Sequence, residues 1–206
     1  MTAQTNAALS NGRLVSSKVI DKIISRIEKG PMGRVNGIIL HQTDSATADA
    51  ALNSYKTGDK GAHFLIDKDG TIYQTARVTQ KCWHVGKIKS RCYQFKTCTP
   101  AELKNIKAIL YEQGLSYQAR LANLHHHEMK KPFPERYPSN EDSIGIEMVA
   151  RFFPKTGYES VTVAQNDALC WLVSTIERLV PLSVCGVLSH PMVSEKQPTE
   201  AASALR

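Results

Sequence analysis

Four polar residues of this chain stand just past apolar, strand-like runs. His41 ends Val35-Asn36-Gly37-Ile38-Ile39-Leu40, Glu147 closes Ser143-Ile144-Gly145-Ile146, and His190 follows Val184-Cys185-Gly186-Val187-Leu188. Glu200 comes ten residues after His190, in Pro198-Thr199-Glu200. Two histidines and a carboxylate can hold a zinc ion and leave one position for water. A further glutamate nearby can take that water's proton. By residue type and placement the chain reads as a zinc hydrolase.

Such side chains need a rigid frame. At 206 residues with 42% apolar content, the chain is long enough for one domain with a real core. No apolar run approaches the roughly 20 residues of a membrane span, so membrane insertion is not expected. The formal charge of +7 favours an anionic partner. The basic residues are scattered, however, and dense only over 81–96; with no reader motif and little aromatic interleaving, nucleic acid is excluded as partner. The start Met1-Thr2-Ala3-Gln4-Thr5-Asn6 lacks a basic segment followed by an apolar one. The expectation is synthesis in the cytoplasm and export by a non-classical route. The five cysteines form no CxxC pair, which argues against a thiolate zinc site. Cys170 and Cys185 are expected in the core. Cys82, Cys92 and Cys98 lie in a polar stretch where an oxidising compartment would permit a disulfide.

Residues 1–12 are small and polar and are expected to be disordered. The spacing of Val19, Ile20, Ile23, Ile24 and Ile27 predicts a helix over 14–27, ended by Gly30-Pro31. Strands are predicted over 35–40, 62–66, 71–74, 143–150 and 184–188. Asp67-Lys68-Asp69-Gly70 is a hairpin turn between two of them. Thr43-Asp44-Ser45 offers capping groups for a helix through Tyr55, and 162–180 predicts a long buried helix. Residues 88–141 read as an insertion carrying two helices, one opened by Thr99-Pro100 and one over 116–127. Strands alternating with helices imply a single α/β domain over 13–206, with a central mixed β-sheet flanked by helices. The run His125-His126-His127 cannot converge on one ion, because consecutive helical positions point about 100° apart; it reads as a polar surface.

In this order, Ile38-Ile39-Leu40-His41-Gln42-Thr43, Ala62-His63-Phe64-Leu65-Ile66-Asp67-Lys68-Asp69-Gly70, Cys82-Trp83-His84-Val85-Gly86, Ser143-Ile144-Gly145-Ile146-Glu147 and Leu188-Ser189-His190 through Thr199-Glu200 form a pattern. It resembles the zinc-dependent N-acetylmuramoyl-L-alanine amidases, which share their fold with peptidoglycan recognition proteins and T7-type lysozyme. The resemblance implies zinc as cofactor and peptidoglycan as substrate. It implies His41 and His190 as ligands. The third family ligand is usually Asp or Cys; Glu200 stands there, with Glu195 as competitor. Where some members place a catalytic tyrosine this chain has Ala62, so the resemblance makes Glu147 the general base. Lys196 falls where the family carries a basic residue beside the reacting carbonyl, and Lys196 or His84 would stabilise the oxyanion. Trp83, His84 and His63 are the candidates for substrate contact, although His63, inside a strand, reads better as structural.

Two other readings compete. One is a non-catalytic module that binds peptidoglycan without cutting it. The other is a cysteine hydrolase built on Cys82 and His84, two residues apart and so able to share one strand face. The family also works in wall recycling, phage lysis and interbacterial killing. Basic charge, the insertion and the missing signal suggest an antibacterial effector, for example of type VI secretion, or a phage lysin. An effector would act in a target cell's periplasm and need an immunity protein, for which the insertion offers a docking surface. Cytoplasmic recycling is the alternative setting.

Overall fold

The computed structural model describes residues 7–181 and 186–204. In chain order the strands are β1 (Ala8–Ser10), β2 (Arg13–Val15), β3 (Val19–Asp21), β4 (Glu28–Pro31), β5 (Gly37–Gln42), β6 (Phe64–Ile66), β7 (Ile72–Gln74), β8 (Gln80–Cys82), β9 (Ser143–Met148), β10 (Phe152–Phe153), β11 (Gly157–Tyr158) and β12 (Val187–Ser189). The helices are α1 (Ala48–Thr57), α2 (Arg91–Phe95), α3 (Pro100–Leu110), α4 (Tyr117–Glu128), α5 (Val163–Leu179) and α6 (His190–Val193). Six strands form the central sheet in the order β12-β5-β9-β6-β7-β3. Strands β12, β5, β9 and β6 run parallel; β7 returns antiparallel to β6 through the Asp67–Gly70 turn, and β3 closes the edge parallel to β7. The expected α/β architecture, a mixed sheet flanked by helices, is the one observed.

The sheet's two faces have different tasks. Ile38, Leu40, Phe64, Ile66, Ile144, Ile146 and Met148 alternate onto one face and pack against Leu169, Leu172, Val173 and Ile176 of α5. Each such buried side chain stabilises the fold by about 1.5–3 kcal/mol. Helix α5 is opened by a capping box, with Thr162 and Gln165 exchanging side-chain and backbone bonds. The other face carries Ile39 against Val85, Ile88, Tyr137 and Val193, and Leu65 against Ala48, Ala51 and Leu52 of α1. His41, Gly145 and Glu147 belong to this second face.

The insertion has its helices where the caps place them: Thr99 caps α3 and Ser116 caps α4, each by a side-chain oxygen. It is anchored to the second face through Ile88, whose amide donates to His125 Nδ1 at 3.2 Å. His125 and His127 are therefore part-buried and bonded rather than a plain polar surface. His127 Nε2 lies 2.8 Å from Glu102 Oε1.

Several expectations are corrected. No helix spans 14–27. Leu14 and Val15 instead lie in β2, Val19 and Ile20 in β3, as β-propensity favours, and Ile27 in a single 3-10 turn at Ser25–Ile27. Ala8–Ser10 is a strand paired with β2 and not disordered; the rest of the expected N-terminal disorder, over 1–6, lies outside the described residues. Helix α1 is capped by Thr47, while Asp44 is in the left-handed region (φ 50°) and accepts from the Phe152 amide. Cys170 is exposed on α5, and Cys185 lies outside the described residues. Cys92 and Cys98 form a disulfide. Among the described residues no helix is long and apolar enough to cross a membrane.

Candidate metal centre and active site

Parallel pairing sets the site. His41 on β5 lies opposite Glu147 on β9, so both side chains project from the same face. His190 begins α6 directly after β12, which pairs with β5 from the other side. Glu200 returns beside them from the C-terminal loop. His41, His190 and Glu200 are all buried.

The hydrogen bonds assign the ring protons. His190 Nε2 is 2.8 Å from the Val85 carbonyl oxygen, which can only accept, so Nδ1 keeps a bare lone pair. His84 Nε2 faces the Ser143 carbonyl at 3.3 Å, so His84 Nδ1 accepts from His41 Nε2 at 2.9 Å. That leaves His41 Nδ1 bare as well. The two bare nitrogens stand 2.8 Å apart, and Glu200 Oε1 lies 2.8 Å from one and 3.5 Å from the other. Three acceptors thus converge with no proton left to share, an arrangement that calls for a cation. Donors bound to zinc at 2.0–2.1 Å stand about 3.3 Å apart in a tetrahedral site, so these residues fit the ion with small adjustments.

Protonation agrees with this. Burial and the neighbouring His190 push His41 down to about 4, which keeps it neutral as a ligand must be. Burial would raise the Glu200 carboxyl, but the facing rings of His190 and His41 outweigh it and lower the group to about 2, so it stands as an ionised acceptor. Glu147 behaves oppositely: burial, then the charge of Glu200, pushes it up to about 8, with Lys196 working against them. One of its oxygens, Oε2, is buried without a hydrogen-bond partner among the described residues.

The partners behind the ligands are equally specific. The amides of His84 and Val85 both donate to Asn140 Oδ1, at 2.9 and 2.8 Å. The His84 ring lies across Gly145, where a Cβ would stand 2.7 Å from Nδ1, so a side chain there would dislodge the ring. Neither Asn140 nor the Gly145 contact was singled out in the sequence; the glycine inside an otherwise apolar strand run was the available signal. Both His84 ring nitrogens are taken, so it orients His41 and has none left for an oxyanion. Lys196 is exposed, and its charge reaches both His41 and Glu147. Trp83 is 43% exposed with Lys29 Nζ 4.5 Å above its ring.

Two candidates fall outside the centre. Glu195 is exposed and lies 3.6 Å from Lys89 Nζ, away from the three ligands. His63 is fully buried, with Nε2 facing the Gln80 carbonyl and Nδ1 accepting from the Gly145 amide; it supports β9 and does not line a groove, a correction to its placement among substrate contacts. Burial holds His63 down at about 4. The unfolded chain therefore takes up that proton first, and the His63 contribution to stability is lost as pH falls from about 6.5 toward about 4. The His63 ring resonances should titrate with a midpoint near 4; a midpoint near 6.5 would contradict its buried, neutral state.

Cys82 is buried, and burial, then Glu28, pushes its thiol up to about 12, which removes the cysteine-hydrolase reading. A second acidic group, Glu102, His127 and Glu128, lies in the insertion, but Lys131 contacts both carboxylates and already supplies the positive charge.

The sequence model of the family described as N-acetylmuramoyl-L-alanine amidase matches residues 31–200. No curated protein sequence matches the chain. Among solved structures, a selenomethionine AmpD derivative superimposes with a TM-score of 0.50 at 16% identity, covering 93% of this chain and 90% of that one. AmpDh3 of Pseudomonas aeruginosa gives a TM-score of 0.52 at 18% identity, covering 80% of this chain and 54% of that longer one. The fold is thus shared with both, and the match over most of the length, in which His41, Glu147, His190 and Glu200 all fall, shows that the chain belongs to the N-acetylmuramoyl-L-alanine amidase family.

Proposed function

We propose that the protein is a zinc-dependent peptidoglycan hydrolase that cleaves the amide between the lactyl group of N-acetylmuramic acid and L-alanine of the stem peptide. The observation that carries this reading is the meeting of three proton-free acceptors on the sheet face that also carries Glu147, one of whose oxygens has no partner among the described residues. Zinc held by His41, His190 and Glu200 would polarise the scissile carbonyl and bring the pKa of a bound water toward about 7. Glu147 takes the proton of the attacking water and delivers it to the leaving amine. A carboxyl raised to about 8 suits both halves of that task near neutral pH. Lys196 places a positive charge near the carbonyl oxygen as it gains charge. His84 keeps the His41 ring aimed, and Trp83 offers an exposed aromatic face to the glycan-peptide chain. AmpDh3 has been solved with an anhydromuramic pentapeptide, a ligand of the class this reaction needs.

The setting we favour is an interbacterial effector or phage lysin acting in a target cell's periplasm, with an immunity protein as partner in the effector case. The Cys92–Cys98 disulfide supports an oxidising compartment. The competing reading is a recognition module that binds peptidoglycan without cutting it; Glu147 and Glu200 together favour catalysis. Purified sacculi incubated with the protein decide between them by product mass. Free stem peptides and peptide-free glycan are the expected products, while bound but uncut sacculi would establish the recognition module.

A further inference from the structure

Of the three acceptors that meet at the centre, Glu200 has the least regular support. His41 stands on β5 and His190 opens α6, but Glu200 lies in a stretch of turns beyond α6. The backbone bonds around it are local: the Glu200 amide donates to the Gln197 carbonyl at 3.0 Å and the Ala202 amide to the Thr199 carbonyl at 3.2 Å. Side chains carried on loops are placed less precisely than those on strands and helices unless something else fixes them.

Two side chains grip the residues on either side of Glu200. Gln42 follows His41 on β5, so the two project to opposite faces of the sheet. It is buried, at 4% exposure. Its Oε1 accepts from the Ala201 amide at 2.8 Å, and its Nε2 donates to the Glu159 carbonyl at 2.8 Å. These partners admit only one orientation of the side-chain amide, because an N–H can only donate and a carbonyl can only accept. The Glu159 end is itself fixed: its amide donates to the Arg151 carbonyl at 2.9 Å, and its carboxylate accepts from Lys68 Nζ at 2.7 Å. Ala201 is buried at φ 56°, a left-handed conformation that a residue with a Cβ keeps only where its surroundings impose it. On the other side of Glu200, Thr199 Oγ1 accepts from the Tyr158 amide at 3.2 Å. Gly157, at φ 85°, lets that oxygen approach so closely that a Cβ would stand 2.5 Å from it.

From this geometry we infer that Gln42 and Thr199 are positioning residues for the metal centre, gripping the backbone before and after Glu200 so that its carboxylate is aimed at His41 and His190. The inference rests on the zinc reading and deepens it. Both side chains act through the backbone on either side of the ligand. Because Gln42 is the neighbour of His41, one strand end carries the first ligand and the tie that places the third.

Gln42→Met keeps the length of the side chain and removes both hydrogen bonds. Zinc affinity, read by competition with a chromophoric chelator, should fall by about 10–100-fold, as when a group that orients a metal ligand is lost. Some loss of Tm is expected as well, since two buried backbone groups lose their partner. Gln74→Met separates the two effects. Gln74 is 1% exposed on β7, near the opposite edge of the sheet, where it bonds the Leu14 amide at 2.7 Å and the Gly12 carbonyl at 2.8 Å. That variant should lose Tm and keep wild-type zinc affinity. Wild-type zinc affinity in Gln42→Met would overturn the assignment and leave the amidase reading intact. An equal loss of affinity in both variants would also overturn it, because general destabilisation would then be the cause. Thr199→Val removes one acceptor from an exposed turn and should weaken zinc in the same direction with Tm near wild type. Should Gln42→Met fail to fold, unchanged zinc affinity in Thr199→Val would be the overturning result. A wild-type chain that takes up no zinc would sink the zinc reading and this inference together.

Discussion

Glu147→Gln should reduce kcat for stem-peptide release by about 10²–10⁴-fold, the usual worth of a positioned general base. Glutamine keeps the size and the sheet position but cannot accept the proton of the attacking water. Zinc content should not change, because Glu147 is not among the three converging acceptors. The fold should hold or gain slightly, since burial already disfavours the charged carboxylate. With bound zinc and intact binding to sacculi, the variant would be a useful trap for uncut substrate. The measurement is single-substrate kinetics on a purified muramyl peptide, with zinc content determined on the same sample. A variant retaining more than a tenth of wild-type kcat would remove Glu147 from the base role.

Glu200→Ala should act on the metal first. Replacing residues that merely orient zinc ligands costs about 10–100-fold in affinity, so removing a ligand itself should cost at least about 100-fold. Activity should fall in step with occupancy, and excess zinc should restore only part of it, because the water-binding position count changes. Competition with a chromophoric chelator reads the affinity directly. Unchanged affinity would mean that a carboxylate other than Glu200 completes the site. Glu195 is a poor replacement, since it is exposed and paired with Lys89. The contrast between the two glutamates is physical. Glu147 is raised by burial and has one oxygen with no partner among the described residues, the state of a carboxyl that binds a proton readily. Glu200 is held ionised by two histidines, the state of a ligand.

How far these roles were legible before the structure depends on range along the chain. Strand-end placement of His41, Glu147 and His190 follows from short apolar runs, and the register that sets His41 beside Glu147 is what such runs produce when paired in parallel. The insertion helices were legible because Thr99-Pro100 and Ser116 carry their own start signals. The segment 14–27 was not. Its apolar spacing fits a helix, yet its residues are β-branched, and the edge beside β7 offered them a partner that no local signal announces. Non-local contacts were equally hidden. Nothing near Gln42 in sequence says that its side chain will join residues 159 and 201. His63 was misplaced for a related reason: alternation along β6 does not reveal that both of its ring nitrogens are spent inside the sheet.

The central claim is that a zinc ion held by His41, His190 and Glu200 drives the cleavage. The sacculus digestion should therefore be run on protein stripped of metal by a chelator, and again after one equivalent of zinc is restored. The expected result is loss of stem-peptide release on stripping and its recovery with zinc, products of identical mass appearing in both active samples. Cleavage that continues at full rate in the stripped protein, shown to be metal-free by elemental analysis, would contradict the account.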